Sequence, residues 1–401
     1  MKTVSEKFNW QRITPDDGKH YFFGYYDRNP WDKKMERHLS LRVDQCEHLP
    51  VRGEKAELGY VMPDKQEFVK ITETRAWCHQ QGCMNLWHPQ YDNAVMYNDY
   101  DEKNDRIITR IRDLDKGEVG IYDHPIYAIS PDGKWGASLN FCRIPRRGYS
   151  YADAVLQPEK RIPDLDNDGI FLVELATGKS KLIVSYRQMA EIHPVADMLP
   201  DVYWWLNHII FNCDSSQLLF LFRVCRNPEK PWSPMWHTYM YTCNLDGSNL
   251  QCTLPEPYWK GMISHQIWGR TPDEILIDCR WGGVNFEYVV FDNRVRPPRG
   301  KRISVGQGPM GHLIFSPDGK WMLADSYPSA EFIQNLGLVK VETGEIEILG
   351  SFKHNAELGD SDVRCDLHPR WSNDGSMITI DSIHTGIRGI YFLRCDDTVK
   401  F

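Results

Sequence analysis

A phrase that recurs seven times constrains the fold of this chain more than any other feature. Each copy has a short apolar strand with a bulky residue near its end, a turn rich in Asp, Asn, Pro and Gly, and a second strand that ends in polar residues. The bulky residues stand at positions 31, 91, 129, 211, 268, 315 and 371. Because each interval has room for four strands and their loops, the sequence predicts an all-β, seven-bladed β-propeller.

The last copy of the phrase has one strand fewer than the others. Its strands are expected at 368–371, 377–383 and 388–394, after which the sequence ends. Residues 7–13 have a strand-like composition and can supply the missing outer strand. We therefore predict a single domain over residues 1–401, closed by an N-terminal strand in the last blade, which leaves no open sheet edge there.

Composition and charge restrict the partners and the compartment. The net charge is −8, from 47 Lys and Arg against 55 Asp and Glu, which argues against nucleic acid or an anionic membrane as partner. The 11 cysteines are scattered without a Cys-x-x-Cys pair, which argues against a disulfide framework or a zinc knuckle. No apolar stretch is typical of a signal peptide or a membrane span, so we expect a cytoplasmic protein.

One column of the repeat is rich in histidine. Three residues before each bulky residue stand Arg28, His88, Ile126, His208, His265, His312 and His368. The first strand of each propeller blade lines the central channel, so we expect these side chains to converge near one mouth of it. In the alternative interpretation, each histidine only caps its own strand.

Three arginines follow the second strands of their blades and are expected above the same mouth. They are Arg143, Arg223 and Arg280. The planar guanidinium binds a carboxylate through two hydrogen bonds, so the group suggests a small anionic ligand such as a uronate sugar. Alternatively, these arginines form ion pairs between blades with Asp99, Asp325 or Asp381.

Two loops that precede first strands carry further candidates for the mouth. Gln80 and Gln81 can hydrogen-bond sugar hydroxyls or a carboxylate, and His79 beside them can act as a general acid or base near neutral pH. Tyr25 and Tyr26 occupy the equivalent loop before the first blade. These tyrosines stack on a sugar ring or simply pack.

Other motifs do not fit their usual contexts. The glycine pattern of residues 306–311 leads into a strand, not into the helix that dinucleotide binding needs. The loop of residues 164–169 resembles the start of a calcium loop but lacks the later glutamate. Serine hydrolase, P-loop and zincin motifs are absent from the sequence. We therefore expect no organic cofactor.

Several phrases together resemble a known family. They are Phe23-Gly-Tyr-Tyr-Asp27, Thr74-Arg-Ala-Trp77, Ser138-Leu-Asn-Phe141, Ser264-His265, Gly311-His312 and Arg364-Cys-Asp-Leu-His-Pro-Arg-Trp371. Across nearly the whole chain the sequence resembles seven-bladed propellers related to oligogalacturonate lyases and ulvan lyases. The resemblance implies a lyase that cleaves uronate-containing oligosaccharides by β-elimination.

The resemblance also implies a divalent metal, typically Mn²⁺. Oligogalacturonate lyases hold it with a histidine from one blade and a Gln-x-x-His-x-His cluster from the next, which correspond here to His265, Gln307 and His312. Met310 stands where the middle histidine belongs, and a thioether disfavours a hard divalent ion. His368 is the candidate that compensates for this loss.

The roles of the remaining residues follow from the chemistry of β-elimination. The C5 proton of a uronate becomes acidic when its carboxylate is neutralised. We expect Gln80, Arg143 and Arg223 at the carboxylate and His79 or His208 in proton transfer, with Tyr25 or Tyr149 as the next candidate. Further substrate-binding residues are expected at Gln81, Arg280, Tyr327 and Arg364. Two alternatives remain: a glycoside hydrolase that uses Asp325 or Asp381, and a non-catalytic propeller that binds a glycan or a protein.

Overall fold

The structure is a computed structural model. It describes residues 8–155, 163–229, 236–254, 263–279, 287–296, 298–305, 311–358 and 361–395. Arg280 and Gln307, both predicted site residues, and Met310 lie outside these ranges.

Seven antiparallel sheets of four strands each form the fold, which confirms the predicted β-propeller. Blade 1 comprises His20–Phe22, His38–Val43, Ala56–Met62 and Glu67–Thr74. Blade 2 comprises Leu86–Trp87, Ala94–Asp101, Arg106–Asp113 and Gly117–Tyr122. Blade 3 comprises Ile126–Ile129, Trp135–Ser138, Gly169–Glu174 and Ser180–Ser185. Blade 4 comprises Tyr203–Phe211, Gln217–Cys225, Trp236–Asn244 and Gln251–Cys252.

The other three blades follow the same order. Blade 5 comprises Ile263–Trp268, Glu274–Cys279, Glu287–Asp292 and Gly300–Val305. Blade 6 comprises Leu313–Phe315, Trp321–Asp325, Ile333–Lys340 and Ile346–Lys353. Blade 7 comprises Arg370–Trp371, Met377–Ser382, Gly389–Arg394 and, from the other end of the chain, Gln11–Arg12.

Helices are few and short among the described residues. The α-helices are Ala152–Val155 and Tyr186–Ile192, and the 3₁₀ helices are Phe141–Arg143 and Ala196–Asp201. Within the described ranges, no helix has the length and apolar character needed to cross a membrane.

A serine–aspartate–glycine turn joins the first two strands in three of the blades. In blade 3, Ser130 Oγ donates to Asp132 Oδ1 (2.6 Å) and accepts from the Trp135 amide (2.9 Å). Gly133 follows at a positive φ of 70°, a conformation that glycine adopts without a steric penalty. Blades 6 and 7 repeat this turn at Ser316 and Ser372.

Blade 1 departs from the predicted repeat. The sequence places its first strand at Arg28–Trp31, but the strand that pairs with His38–Val43 is His20–Phe22. Trp31 makes only a single bridge, to His38. Pro30 has no N–H to donate to a sheet, and the paired strand lies before the loop that carries Tyr25 and Tyr26.

The N-terminal segment closes the ring at the outer edge of blade 7. Gln11 is paired with Phe392 and Arg12 with Tyr391. The Ile13 amide donates to the Ile390 carbonyl at 2.9 Å. Phe8 and Ile13 are 5% and 0% exposed. The closing strand is therefore shorter than the predicted range 7–13, but it lies where the sequence indicates.

Deleting residues 1–14 is expected to destabilise the whole propeller. The truncation exposes the edge of Gly389–Arg394 and removes Phe8 and Ile13 from the core, a loss of at least ~3 kcal/mol at ~1.5–3 kcal/mol for each large apolar side chain. Thermal unfolding followed by circular dichroism measures the change. A truncated protein that melts at the same temperature as the full chain contradicts this closure.

Candidate functional site

Three of the five histidines in the predicted column surround one tyrosine, and a fourth packs against one of these three. The ring of Tyr25 lies 5.0 Å from that of His208, 5.7 Å from that of His312 and 5.0 Å from that of His368, centroid to centroid. The His265 ring lies 4.4 Å from that of His312. All four histidines are buried. Blades 4 to 7 therefore each contribute one imidazole to what we call the histidine group: His208, His265, His312 and His368.

His88, the fifth histidine of the column, is not part of this group. Its Nε2 lies 3.0 Å from the hydroxyl of Tyr122, and its ring packs 4.4 Å from that of Tyr91. Both contacts are within blade 2, so the alternative of a structural histidine describes His88.

Three members of the histidine group have an unusual backbone. His208, His265 and His368 have φ values of 51°, 48° and 43°. The first two lie within β-bulges of the innermost strands of their blades. A left-handed conformation is uncommon for residues other than glycine, and such strain concentrates at functional sites.

The Nδ1 atoms of three histidines contact groups that can only accept hydrogen bonds. His265 Nδ1 lies 3.0 Å from Asp278 Oδ2. His312 Nδ1 lies 3.1 Å from both carboxylate oxygens of Asp325. His368 Nδ1 lies 2.7 Å from the carbonyl oxygen of Gly24. Each Nδ1 therefore carries the proton, which leaves the Nε2 lone pair of the neutral ring directed away from these partners.

Two of these Nε2 atoms face each other. His312 Nε2 lies 3.2 Å from His368 Nε2. Two lone pairs at this distance repel unless a proton or a metal ion lies between them. Burial lowers the pKa of His312, but Asp325 outweighs it and the net pKa is raised. Burial, together with His312, holds the pKa of His368 well below its usual range. The pair can therefore share one positive charge.

Asp366 adds a carboxylate to this pair. Potential ligand atoms of His312, Asp366 and His368 all lie within 4.8 Å of one another. Arg364 donates to both oxygens of Asp366, at 2.5 and 3.0 Å. Burial raises the pKa of Asp366, but Arg364 more than compensates and the net pKa is well below the usual range. The two imidazoles and the ionised carboxylate fit a divalent cation, for which metal–nitrogen distances are ~2.0–2.1 Å.

Arginines and tyrosines lie beside the histidine group. Arg223 donates to the Tyr149 hydroxyl at 3.3 Å, and the ring of Tyr149 lies 6.4 Å from that of His208. Arg147 also lies over Tyr149, with its Cζ 5.7 Å from the ring centroid. Arg364 lies over Tyr327 at 4.3 Å. The predicted residues Arg223, Tyr149, Tyr327 and Arg364 are thus brought together, and Arg147 is an addition that the sequence did not indicate.

Arg143 lies in an aromatic environment and not among these arginines. Its Cζ is 4.9 Å from the ring of Tyr186, 5.2 Å from that of Tyr203 and 5.6 Å from that of Trp204. It donates to the Trp204 carbonyl and is 1% exposed. These contacts join blades 3 and 4 and give Arg143 a packing role.

The loop before blade 2 is divided between the core and the site. His79 is 2% exposed and packs against Phe22 and Trp77, with ring centroids 6.0 and 5.1 Å away. Gln81 Oε1 accepts from the Tyr127 hydroxyl at 3.1 Å, and that hydroxyl also contacts Asn207, the neighbour of His208. Gln80 bonds through its backbone amide to Gly148. Gln81 is therefore linked to the histidine group, whereas the ring contacts of His79 are with the core of blade 1.

His79→Phe is expected to reduce the loss of stability in acid. Burial holds the pKa of His79 well below its usual value near 6.5. Below pH 6.5 the unfolded state therefore binds a proton that the folded state does not bind, which destabilises the folded state. The penalty grows as the pH falls below 6.5, by at most about 1.4 kcal/mol per pH unit. Denaturant unfolding at pH 7.5 and pH 5 measures it, with His48→Phe, at an exposed position, as the control. An unchanged acid loss in His79→Phe contradicts the prediction.

The carboxylates that the hydrolase alternative requires already accept hydrogen bonds from neighbouring residues. Asp325 accepts hydrogen bonds from the backbone amides of His312 and His368, at 2.6 and 3.0 Å. Asp381 accepts from Arg370 at 2.7 Å and from the amides of Phe23 and Gly24. Asp99, which was a possible ion-pair partner of the predicted site arginines, pairs instead with Arg110 at 2.7 Å. Asp325 and Asp381 thus hold the walls of the mouth in place.

The protein is therefore a seven-bladed β-propeller with histidines from four blades at one end of its channel. Its fold matches that of solved oligogalacturonate lyases. An oligogalacturonate lyase in complex with manganese superposes with a TM-score of 0.64 at 16% identity, over 98% of this chain and 94% of that chain. An oligogalacturonate lyase from Vibrio parahaemolyticus gives 0.62 at 14% identity, over 98% and 95%.

Other comparisons limit what this similarity means. The tricorn protease superposes with a TM-score of 0.52 at 13% identity, over 96% of this chain but 35% of that chain. No protein-family model and no curated protein sequence matches the chain. At these identities the similarity establishes the fold, and the activity has to be argued from the site.

Proposed function

We propose that this protein is a metal-dependent lyase that cleaves uronate-containing oligosaccharides by β-elimination. The observation that carries the proposal is the opposed pair of Nε2 atoms, 3.2 Å apart, on His312 and His368. Both rings are fixed by acceptors at Nδ1, an arrangement typical of metal-ligating histidines. The manganese in one structurally similar lyase supports the same interpretation.

His312, His368 and Asp366 are the core of the proposed metal site. His265 joins them once the Tyr327 hydroxyl, 2.8 Å away, is displaced from its Nε2. A mixed set of imidazole and carboxylate ligands suits Mn²⁺ or a similar divalent ion. These residues would hold such an ion beside the substrate, where it would supply the Lewis acidity that neutralises the uronate carboxylate. His368 and Asp366 thereby replace the ligand that Met310 cannot supply.

The arginines beside the histidine group complete the proposed carboxylate site. Arg223 and Arg364 present guanidinium groups near Tyr149 and Tyr327, and Gln81 adds an amide through its contact with Tyr127. Cationic groups around the carboxylate stabilise the negative charge that develops when the C5 proton leaves. Arg143, in its aromatic environment, is not part of this step.

His208 and Tyr25 are the proposed proton-transfer pair. Burial and Arg223 hold the pKa of His208 well below its usual range, so its imidazole is neutral and can accept the C5 proton. Burial raises the pKa of Tyr25, so its hydroxyl, 3.4 Å from His208 Nε2, is protonated. The C5–H electrons form the C4–C5 double bond, the C4–O bond breaks, and Tyr25 protonates the departing oxygen.

Incubation with a panel of uronate oligosaccharides tests this function. A lyase produces an unsaturated uronate whose double bond is conjugated with the carboxylate, so ultraviolet absorbance rises together with the number of reducing ends. New reducing ends without this absorbance indicate hydrolysis and contradict the proposal. Binding without any cleavage, after addition of Mn²⁺, indicates a non-catalytic glycan-binding propeller.

A further inference from the structure

A cavity lies where the innermost strands of blades 2, 3 and 4 end. Its volume is about 580 Å³, and blades 1, 2, 3, 4 and 7 contribute to its lining. In blade 4, His208 belongs to the histidine group, whereas Ile209, Ile210 and Phe211 line this cavity. The cavity therefore begins at the residue after His208 and extends toward the end of the same innermost strand, Tyr203–Phe211. The volume is typical of small-molecule pockets, which span ~300–1,000 Å³.

Three residues of the lining carry buried polar atoms without a hydrogen-bond partner among the described residues. Arg28 is 9% exposed, and its Nε and Nη2 have no hydrogen-bond partner among the described residues. Asp27 Oδ1 likewise lacks one and lies 3.9 Å from Arg28 Nε, too far for a direct hydrogen bond. Trp31, 3% exposed, has an unpartnered indole Nε1. Buried polar groups are almost always satisfied, so three unpaired donors and one acceptor indicate a ligand.

Aromatic surfaces complete the lining of the cavity. Trp87 and Phe211 lie along it, and Tyr91 is 47% exposed. Lys33 at the rim is paired with Asp92 at 2.7 Å. Asp32, also in the lining, is paired with Arg37 at 2.7 Å, and the charges of Arg28 and Asp27 balance each other. The cavity therefore combines flat apolar faces with donors and an acceptor but has no excess of charge.

We propose that this cavity binds a neutral sugar ring. One hydroxyl oxygen fits the 3.9 Å gap between Arg28 Nε and Asp27 Oδ1, since it can accept from the guanidinium and donate to the carboxylate. A neighbouring ring oxygen accepts from Trp31, and the C–H faces of the sugar pack on the aromatic rings. An anionic ligand fits less well because Asp27 would repel it. This site is independent of the lyase chemistry proposed for the histidine group.

Titration calorimetry with the full chain tests this site. The probes are methyl glycosides of neutral hexoses and of 6-deoxyhexoses, each compared with the corresponding uronate or a simple carboxylate. We expect saturable binding of at least one neutral glycoside. Arg28→Met removes a charged hydrogen-bond donor and should weaken that binding about 10-fold or more. Tyr91→Ala, at an exposed position, should weaken it without affecting folding.

Controls separate this site from other causes. Arg187→Met removes an exposed arginine of the helix Tyr186–Ile192 and should leave the affinity unchanged. If Arg28→Met does not fold, the glycoside affinities of Trp31→Phe and Tyr91→Ala test the proposal instead. The proposal is overturned if no neutral glycoside binds, if only carboxylates bind, or if binding persists unchanged in Tyr91→Ala and Trp31→Phe. Lyase activity at the histidine group has no bearing on these results.

Discussion

His312→Ala is expected to lose the bound metal and to lower kcat/KM by about 1,000-fold or more, because a Lewis-acid metal contributes several kcal/mol to the transition state. His312 is placed centrally, with the rings of His265 and His368 only 4.4 and 4.2 Å away. Mass spectrometry of the purified protein measures the metal content, which should approach one ion per chain in the wild type and fall to background in the variant.

His88→Ala is the matched control for this experiment. His88 belongs to the same column of the repeat but contacts Tyr122 and Tyr91, so its removal should leave the metal in place. Asp325→Asn tests the carboxylate that contacts His312 Nδ1. Loss of an orienting partner should weaken metal affinity about 10–100-fold without abolishing it. Metal retained by His312→Ala, or never present in protein kept from chelators, refutes the proposed metal site.

His208→Ala is expected to lower kcat by about 100-fold or more, the usual contribution of a general base. The effect on KM should be small because a proton-transfer group acts mainly in the transition state. Tyr25→Phe, which removes only the hydroxyl 3.4 Å from His208 Nε2, should lower kcat similarly. Initial rates from the ultraviolet assay provide both constants.

Arg223→Ala provides the contrast to His208→Ala. A residue that binds the substrate carboxylate should raise KM as well as lower kcat. Arg143→Ala serves as a packing control: loss of its aromatic contacts should lower the melting temperature more than it affects catalysis. Near-wild-type kcat in both His208→Ala and Tyr25→Phe would assign proton transfer to another group.

The seven-bladed architecture is predictable because the same sequence phrase of strand, turn and strand occurs seven times. Each copy repeats the same turn chemistry, as the equivalent hydrogen bonds of Ser130, Ser316 and Ser372 illustrate. The convergence of four histidines follows from the same alignment, since equivalent positions of neighbouring blades meet at the channel. Asp278 occupies the same position in the second strand of blade 5 as Asp325 does in that of blade 6. The contact of Asp278 with His265 is therefore equivalent to that of Asp325 with His312.

What lies outside the repeat was not predictable. Asp366 lies in the loop before blade 7, outside the repeated phrase, and the three-dimensional structure brings it to His312 and His368. Arg143 and Arg223 end equivalent phrases of the sequence, yet Arg223 lies within the strand Gln217–Cys225, whereas Arg143 lies in the 3₁₀ helix Phe141–Arg143. There, three aromatic rings surround Arg143. The sequence neighbours of His79 predict a place at the channel mouth, whereas its ring packs against Phe22 and Trp77.

The closing strand has a consequence for biosynthesis. Gln11 pairs with Phe392, and Tyr25 packs against His368, so residues synthesised early contact residues synthesised much later. Chains fold from the N-terminus as they leave the ribosome, and contacts this distant in sequence form slowly. The closing strand Gln11–Arg12 therefore remains unpaired during most of translation, and a chaperone or a neighbouring nascent chain can reach it. The contact between Tyr25 and His368 forms only after blade 7 has been synthesised.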